Sequence, residues 1–321
     1  MALTTLDIKF ENIDTFTEVL GAKDSHLEVL SQFFDTKIYT KGDTIQIECE
    51  NEATKKALED TFFVLIQLVN HHIKITERDV IYVAKMIGAT DTETLVDHYL
   101  NRVEIVKTQS GRPIYAKTIN QKRYLEAIEA NDLVFAIGPA GTGKTYVAIM
   151  HAVRQLKEGR IKKIILTRPA VEAGENLGFL PGDLKEKIDP YLRPLYDALD
   201  EALGRKQTDT LIEKGVVEIA PLAYMRGRTL EGAYVVLDEA QNTTKGQMKL
   251  FLTRLGFNSK MVVTGDTTQV DLPKNTRSGL IHATELLKGV RGIFVMTFER
   301  LDVIRHPLIQ KVLERYDDEH H

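Results

Sequence analysis

The sequence predicts an α/β fold with a mainly parallel, doubly wound sheet, preceded by a small α+β domain. Three observations predict it. Six short apolar runs recur from Leu133 onward, separated by stretches of helical periodicity. A glycine-rich loop follows the first run and opens a helix. Residues 1–80 carry a different order, with alternating and helical segments that read β-α-α-β-β-α. The 321 residues hold 43% hydrophobic and 27% charged residues, which excludes a disordered or collagen-like chain.

In the first part, Leu6 to Phe10 reads as a strand, Asp14 to Leu20 as a short helix, and Leu27 to Phe34 as a helix with Leu27, Leu30, Phe33 and Phe34 on one face. Lys37 to Tyr39 and Thr44 to Cys49 alternate like a hairpin around Lys41-Gly42-Asp43. Ala53 to Asn70 is a long amphipathic helix, and residues 73 to 105 add a further helical stretch. Gly111 and Pro113 mark residues 107–117 as a linker, dividing an N-terminal domain (1–106) from a second domain (118–321). The single cysteine, Cys49, excludes a disulfide framework within the chain and reads as core filling.

The six apolar runs are Leu133 to Ile137, Lys163 to Thr167, Val216 to Ile219, Tyr234 to Leu237, Met261 to Thr264 and Ile293 to Met296. Such runs suit strands buried on both faces of a parallel sheet. The net charge of −4 hides an asymmetry: residues 1–110 carry 11 Lys+Arg against 19 Asp+Glu, and residues 111–321 carry 31 against 27. No apolar run approaches the ~18 residues of a membrane span. Phe62 to Val69, the longest, is interrupted by Gln67. The N-terminus lacks the apolar region of a secretory signal, so a cytoplasmic protein without membrane contact is expected.

The glycine-rich loop is Gly138-Pro139-Ala140-Gly141-Thr142-Gly143-Lys144-Thr145, followed by Tyr146 in a helical stretch. It fits G-x-x-x-x-G-K-[ST] in the strand–loop–helix context that the pattern requires. Glycines let backbone N–H groups converge on an anion, and the helix N-terminus adds its positive end. Lys144 is placed to reach β- and γ-phosphates and the Thr145 hydroxyl to ligate Mg²⁺. Residues 138–146 form the expected nucleotide cradle.

Tyr234 to Leu237 ends in Asp238 and Glu239. A strand-end carboxylate at Asp238 suits the Mg²⁺ shell, and Glu239 is where a general base polarises a water against a γ-phosphate. That pairing favours hydrolysis over small-molecule phosphotransfer. Met261 to Thr264 runs into Gly265-Asp266, and Gln269 can sense the γ-phosphate. Upstream, Gln121 has the donor and acceptor needed to read an adenine edge, with Tyr124 available to stack.

These residues, in order, resemble motifs I, II and III of superfamily-one helicases, and more specifically PhoH-like proteins. The marks are GPAGTGKT (138–145), TRPAVEAGENLGFLPGDLKEKIDPYLRPLYD (167–197), MRGRT (225–229), LDEAQN (237–242), TGDTTQVDLP (264–273) and DVIRHPL (302–308). The resemblance spans residues 111–316 and implies a RecA-like P-loop ATPase acting on or near RNA, often in RNA processing and often as a ring. The N-terminal region resembles a K-homology-like domain. Its loop departs from G-x-x-G: Gly21-Ala22-Lys23-Asp24 sets a carboxylate where a phosphate would approach, which points to assembly or partner docking.

By the same analogy Thr167, Arg168 and Pro169 touch a nucleic-acid strand, with Glu172, Glu175, Lys185 and Arg193 in the segment beyond. Arg226 and Arg228 around Gly227 form a second basic site. A helicase of that superfamily needs two RecA-like lobes, and the residues after Gly265 are too few for a second lobe of about 150 residues. A catalytic arginine is therefore expected from a neighbouring subunit of a homo-oligomeric ring, a hexamer by preference, with Arg300, Arg305 and Arg277 as candidates. The expected function is ATP hydrolysis coupled to RNA binding, remodelling or unwinding. The rival is a nucleotide-switched scaffold that recruits an RNA-processing nuclease; a small-molecule kinase is third.

Overall fold

The computed structural model describes residues 3–169, 184–273 and 275–305, with 308–309, 312 and 315–316; within 184–190 only the backbone is described. Two compact units divide it. One holds Met1–Arg102 and the described part of Leu301–His321, and the other holds Val103–Arg300.

In the first unit, strand β1 (Thr4–Thr5) is followed by helices α1 (Ile13–Leu20) and α2 (Ser25–Phe33), then by strands β2 (Ile38–Lys41) and β3 (Thr44–Ile47) and helix α3 (Glu52–Asn70). The β-α-α-β-β-α order matches the sequence reading. The sheet runs β1-β3-β2 with antiparallel pairs. Leu6 to Phe10 lies beyond β1 and is not strand, although Leu6 is buried. Cys49 is half-buried past the end of β3, where its Sγ accepts from the Asn51 N–H at 3.4 Å. Asn51 in turn caps α3 by accepting from Ala53 and Thr54. The stretch from 73 to 105 breaks into α4 (Glu77–Met86), opened by a Thr76–Asp79 capping box, and α5 (Thr92–Leu100).

The second unit begins with the antiparallel hairpin of β4 (Glu104–Lys107) and β5 (Pro113–Tyr115). Gly111 and Pro113, which suggest a linker in the sequence, form its turn and its return strand: the Thr108 and Arg112 backbones bond across it. Helix α6 (Ile119–Ala130) leads to β6 (Leu133–Ile137), α7 (Lys144–Lys157), β7 (Lys163–Arg168), α8 (Leu184–Leu203), α9 (Arg205–Glu213), β8 (Val217–Pro221), β9 (Ala233–Leu237), α10 (Lys245–Leu252), β10 (Lys260–Gly265), α11 (Gly279–Leu286) and β11 (Ile293–Thr297).

All six expected runs are strands of one sheet, in the order β11-β6-β10-β9-β7-β8, and every pair is parallel. Alternation sends successive side chains to opposite faces. Val134, Tyr234, Val236 and Val262 pack on one face with α7 and α8, and Leu133, Phe135, Val235 and Val263 on the other with α10 and α11. Both faces are therefore covered. The order brings the carboxyl ends of β6, β10, β9 and β7 side by side, which is where open α/β sheets bind ligands. No described helix is long and apolar enough to cross a membrane.

Candidate nucleotide site

The loop after β6 has the conformation its glycines permit. Gly138, Gly141 and Gly143 have φ of 147°, 88° and 82°. A Cβ on Gly138 would lie 2.4 Å from the Phe298 carbonyl, and one on Gly143 would lie 2.8 Å from Gln121 Nε2. Side chains are thus excluded here by backbone angle and by close neighbours at once.

The ends of β9 and β10 close around this loop. Thr145 Oγ1 donates to Asp238 Oδ1 at 2.6 Å, and Thr264 Oγ1 donates to the same oxygen at 2.9 Å. Asp266 accepts the Ala140 N–H at 3.1 Å with Oδ2, while Oδ1 takes the Thr268 N–H at 2.9 Å and hydroxyl at 2.7 Å. Gln241 Oε1 accepts the Asp266 N–H at 3.0 Å, and Asn242 Oδ1 accepts the Asp271 N–H at 2.8 Å. The segment after β9 and the segment after β10 therefore brace one another and the loop.

A cavity of about 490 Å³ opens above these groups. Ala140, Gly141, Gly143, Lys144, Thr145 and Tyr146 line it, as do Asp238, Glu239, Asp266 and Gln269. Gly138, Pro139, Thr142 and Gln121, also expected to contact nucleotide, are not among its lining residues. Gln121 is buried, and both ends of its amide are engaged: Oε1 accepts the Lys117 N–H at 2.8 Å and Nε2 donates to the Thr142 carbonyl at 3.0 Å. It ties α6 to the loop. Tyr124 is fully buried, packed edge-on to Phe298 at 5.4 Å, so it has no face free to stack on a base.

Lys144 Nζ donates to the carbonyls of Gly138 at 2.7 Å and Pro139 at 2.8 Å. Burial lowers its pKa, against the opposing pull of Asp266, Asp238 and Glu239. Anionic phosphates would be a better partner for this ammonium than two carbonyls. Glu239 has a left-handed backbone (φ 52°) and forms an ion pair with Arg168, Nη2 to Oε1 at 2.8 Å. Thr145 and Asp238 offer two hard oxygens 2.6 Å apart, a donor set that suits Mg²⁺, which keeps several waters and binds through few protein ligands.

Among the arginines expected to act, Arg277 is paired with Glu285. Arg300 and Arg305 are not among the residues lining the cavity. Arg228 holds Glu218 through two bonds of 2.6 and 2.7 Å, so its fork is occupied by a carboxylate, and Arg193 pairs with Asp197. Arg226 is exposed. Glu172 and Glu175 lie outside the described residues, as does the side chain of Lys185. Sequence reasoning missed the roles of Thr264 and Asp266, although both lie inside the quoted 264–273 motif. It also missed the cavity wall from α8, formed by Pro194, Leu195, Asp197, Ala198 and Glu201. A hydroxyl near the end of a buried strand (Thr264) and the polar turn after it (Asp266) were the available signals; the wall depends on tertiary packing.

The family model described as PhoH-like protein matches residues 113–317. The PhoH-like protein of Bacillus subtilis (strain 168) is 53% identical over 315 residues, spanning 98% of each chain. That of Synechocystis is 43% identical over 320 residues, 99% of this chain and 96% of the other. Protein PhoH of Escherichia coli (strain K12) is 48% identical over 206 residues, 64% of this chain and 58% of its own. Loop, strand-end carboxylates and bracing turns thus sit in a stretch that the family model covers from end to end, and the chain belongs to the PhoH-like protein family.

Proposed function

We propose that this protein binds ATP with Mg²⁺, hydrolyses it, and couples turnover to RNA. One observation carries the hydrolytic reading: Thr145 in the first turn of α7 and Asp238 just past β9 meet at 2.6 Å, with Glu239 next in the chain on the wall of the same cavity. In this reading backbone N–H groups of residues 138–145 and Lys144 hold the phosphates. Thr145 and Asp238 would hold Mg²⁺, which when bound neutralises charge on the β- and γ-phosphates. Glu239 orients a water and takes its proton, and Gln269 contacts the γ-phosphate at the cavity mouth. An arginine from a second copy, Arg300 or Arg305, completes the charge stabilisation in a ring.

RNA coupling is supported by the net positive charge of residues 111–321 and by the exposed Arg226. The acidic N-terminal part, read as K-homology-like, is proposed as a docking surface, and a cytoplasmic location belongs with this reading. The rival, a slowly cycling scaffold that recruits a nuclease, draws support from the ion pair that already occupies Glu239. Titration with a fluorescent ATP analogue tests the nucleotide reading. Lys144→Ala is expected to weaken binding by at least about tenfold, and unchanged affinity would contradict the assigned cradle.

A further inference from the structure

Glu239 is held from outside the cavity it faces. Its Oε1 takes Arg168 Nη2 at 2.8 Å, and its Oε2 accepts from Gln241 Nε2. Arg168 also donates Nη1 to the Tyr191 carbonyl at 2.6 Å, so its guanidinium bridges the end of β9 and helix α8. Glu239 lines the cavity and Arg168 does not. The Arg168 side chain is nevertheless 23% exposed. The exposed part of Arg168 thus belongs to a residue outside the cavity lining.

We infer that Arg168 is a positioning residue that restrains Glu239, and that a phosphate group binding Arg168 from outside the cavity releases the carboxylate for catalysis. The inference rests on the reading of Glu239 as the water-polarising base. A guanidinium presents a fixed fork of donors that fits a carboxylate or a phosphate, and a phosphate competes for the same N–H groups. While Arg168 and Gln241 hold one oxygen each, the carboxylate is oriented by protein donors and not by a water in the cavity. The phosphate could come from a nucleic-acid backbone or from free inorganic phosphate, and the test separates them.

ADP formation is measured over a range of Mg-ATP concentrations up to saturation for the full chain, Arg168→Ala and Arg168→Lys, each alone, with single-stranded RNA and with inorganic phosphate. Binding of a fluorescent ATP analogue reports folding; if Arg168→Ala fails to bind it, Arg168→Lys, which keeps the charge without the fork, carries the test. The wild type should be stimulated by RNA and not by inorganic phosphate. Loss of the fork should raise RNA-free kcat by about two- to fivefold, the range that breaking one partly exposed ion pair converts to, with KM within about twofold. RNA should then add little. An RNA-free rate at or below wild type overturns the inference, because Arg168 would be orienting Glu239 productively. Full RNA stimulation in the variant overturns it too, because the phosphate would act elsewhere. Stimulation of the wild type by inorganic phosphate supports the release and reassigns its source. A wild type that forms no ADP under any condition fails the underlying reading, an outcome distinct from a variant that matches it.

Discussion

Asp266 is engaged at both carboxylate oxygens and at its backbone N–H. Its carboxylate takes the Ala140 N–H with one oxygen and both donors of Thr268 with the other, while its own N–H is taken by Gln241. Asp266→Ala should leave the Ala140 N–H of the loop without its protein partner and weaken ATP-analogue binding about tenfold, the effect of losing a charge-assisted bond that shapes the cradle. Titration beside the wild type checks this. Gly143→Ala should do worse, since the new Cβ meets Gln121 Nε2 at 2.8 Å with φ at 82°; a loss of about 2 kcal/mol or more in chemical denaturation is expected. The grouping of Gly141, Gly143, Lys144, Thr145, Asp238 and Glu239 around one cavity was legible because each expected chemical requirement fixes a residue type at a fixed spacing. Gln121 was legible as a functional amide, but its engagement by the Lys117 and Thr142 backbones depends on how α6 packs against the loop, which no local pattern records. Tyr124 misled for the same reason: an aromatic beside a binding loop and an aromatic in the core look alike until its burial is known.

Among elements, the six strands were legible because burial on both faces demands unbroken apolar runs, and all six formed. Two-residue β1 carries no such signal, and the turn residues Gly111 and Pro113 serve a hairpin as well as they would a linker. A buried contact joins α7, β9 and α6: His151 meets Tyr234 Oη at 3.1 Å and Glu129 Oε1 at 2.9 Å. Burial pushes the His151 pKa down, against the upward pull of Glu129. With the folded value below the unfolded one, the unfolded chain binds the proton first as pH falls. Stability should therefore decline as pH drops through about 6.5, and the decline from this group should stop once pH is below the folded value. Melting temperatures between pH 8 and 5 check it, with a shallower slope expected for His151→Gln. An equal slope would assign the pH dependence to other groups. Lys260, at the start of β10, donates to the carbonyls of Ile128 and Asn131 at the end of α6, the latter at 2.6 Å. Lys260→Met should cost about 1–3 kcal/mol in denaturant unfolding by leaving those carbonyls without their donor.

At the scale of the whole molecule, the strand order does the gathering. Residues separated by more than a hundred positions, such as Ala140 and Asp266, touch because β6 and β10 are neighbours. The family was legible from motifs alone, and a family match over residues 113–317 bears it out. The proposed ring makes its own prediction. Arg300→Ala or Arg305→Ala should lower turnover by at least about a hundredfold while leaving nucleotide binding intact, and mixing with Glu239→Gln chains should restore part of the rate through mixed interfaces. Absence of rescue, with mixed assemblies confirmed by light scattering, would contradict an arginine supplied in trans. The most direct measurement is steady-state phosphate release by the wild type and Glu239→Gln, each with and without single-stranded RNA. The wild type should turn over ATP faster with RNA, and Glu239→Gln should lose turnover with ATP still bound. Equal hydrolysis by Glu239→Gln would contradict the assignment of the catalytic carboxylate.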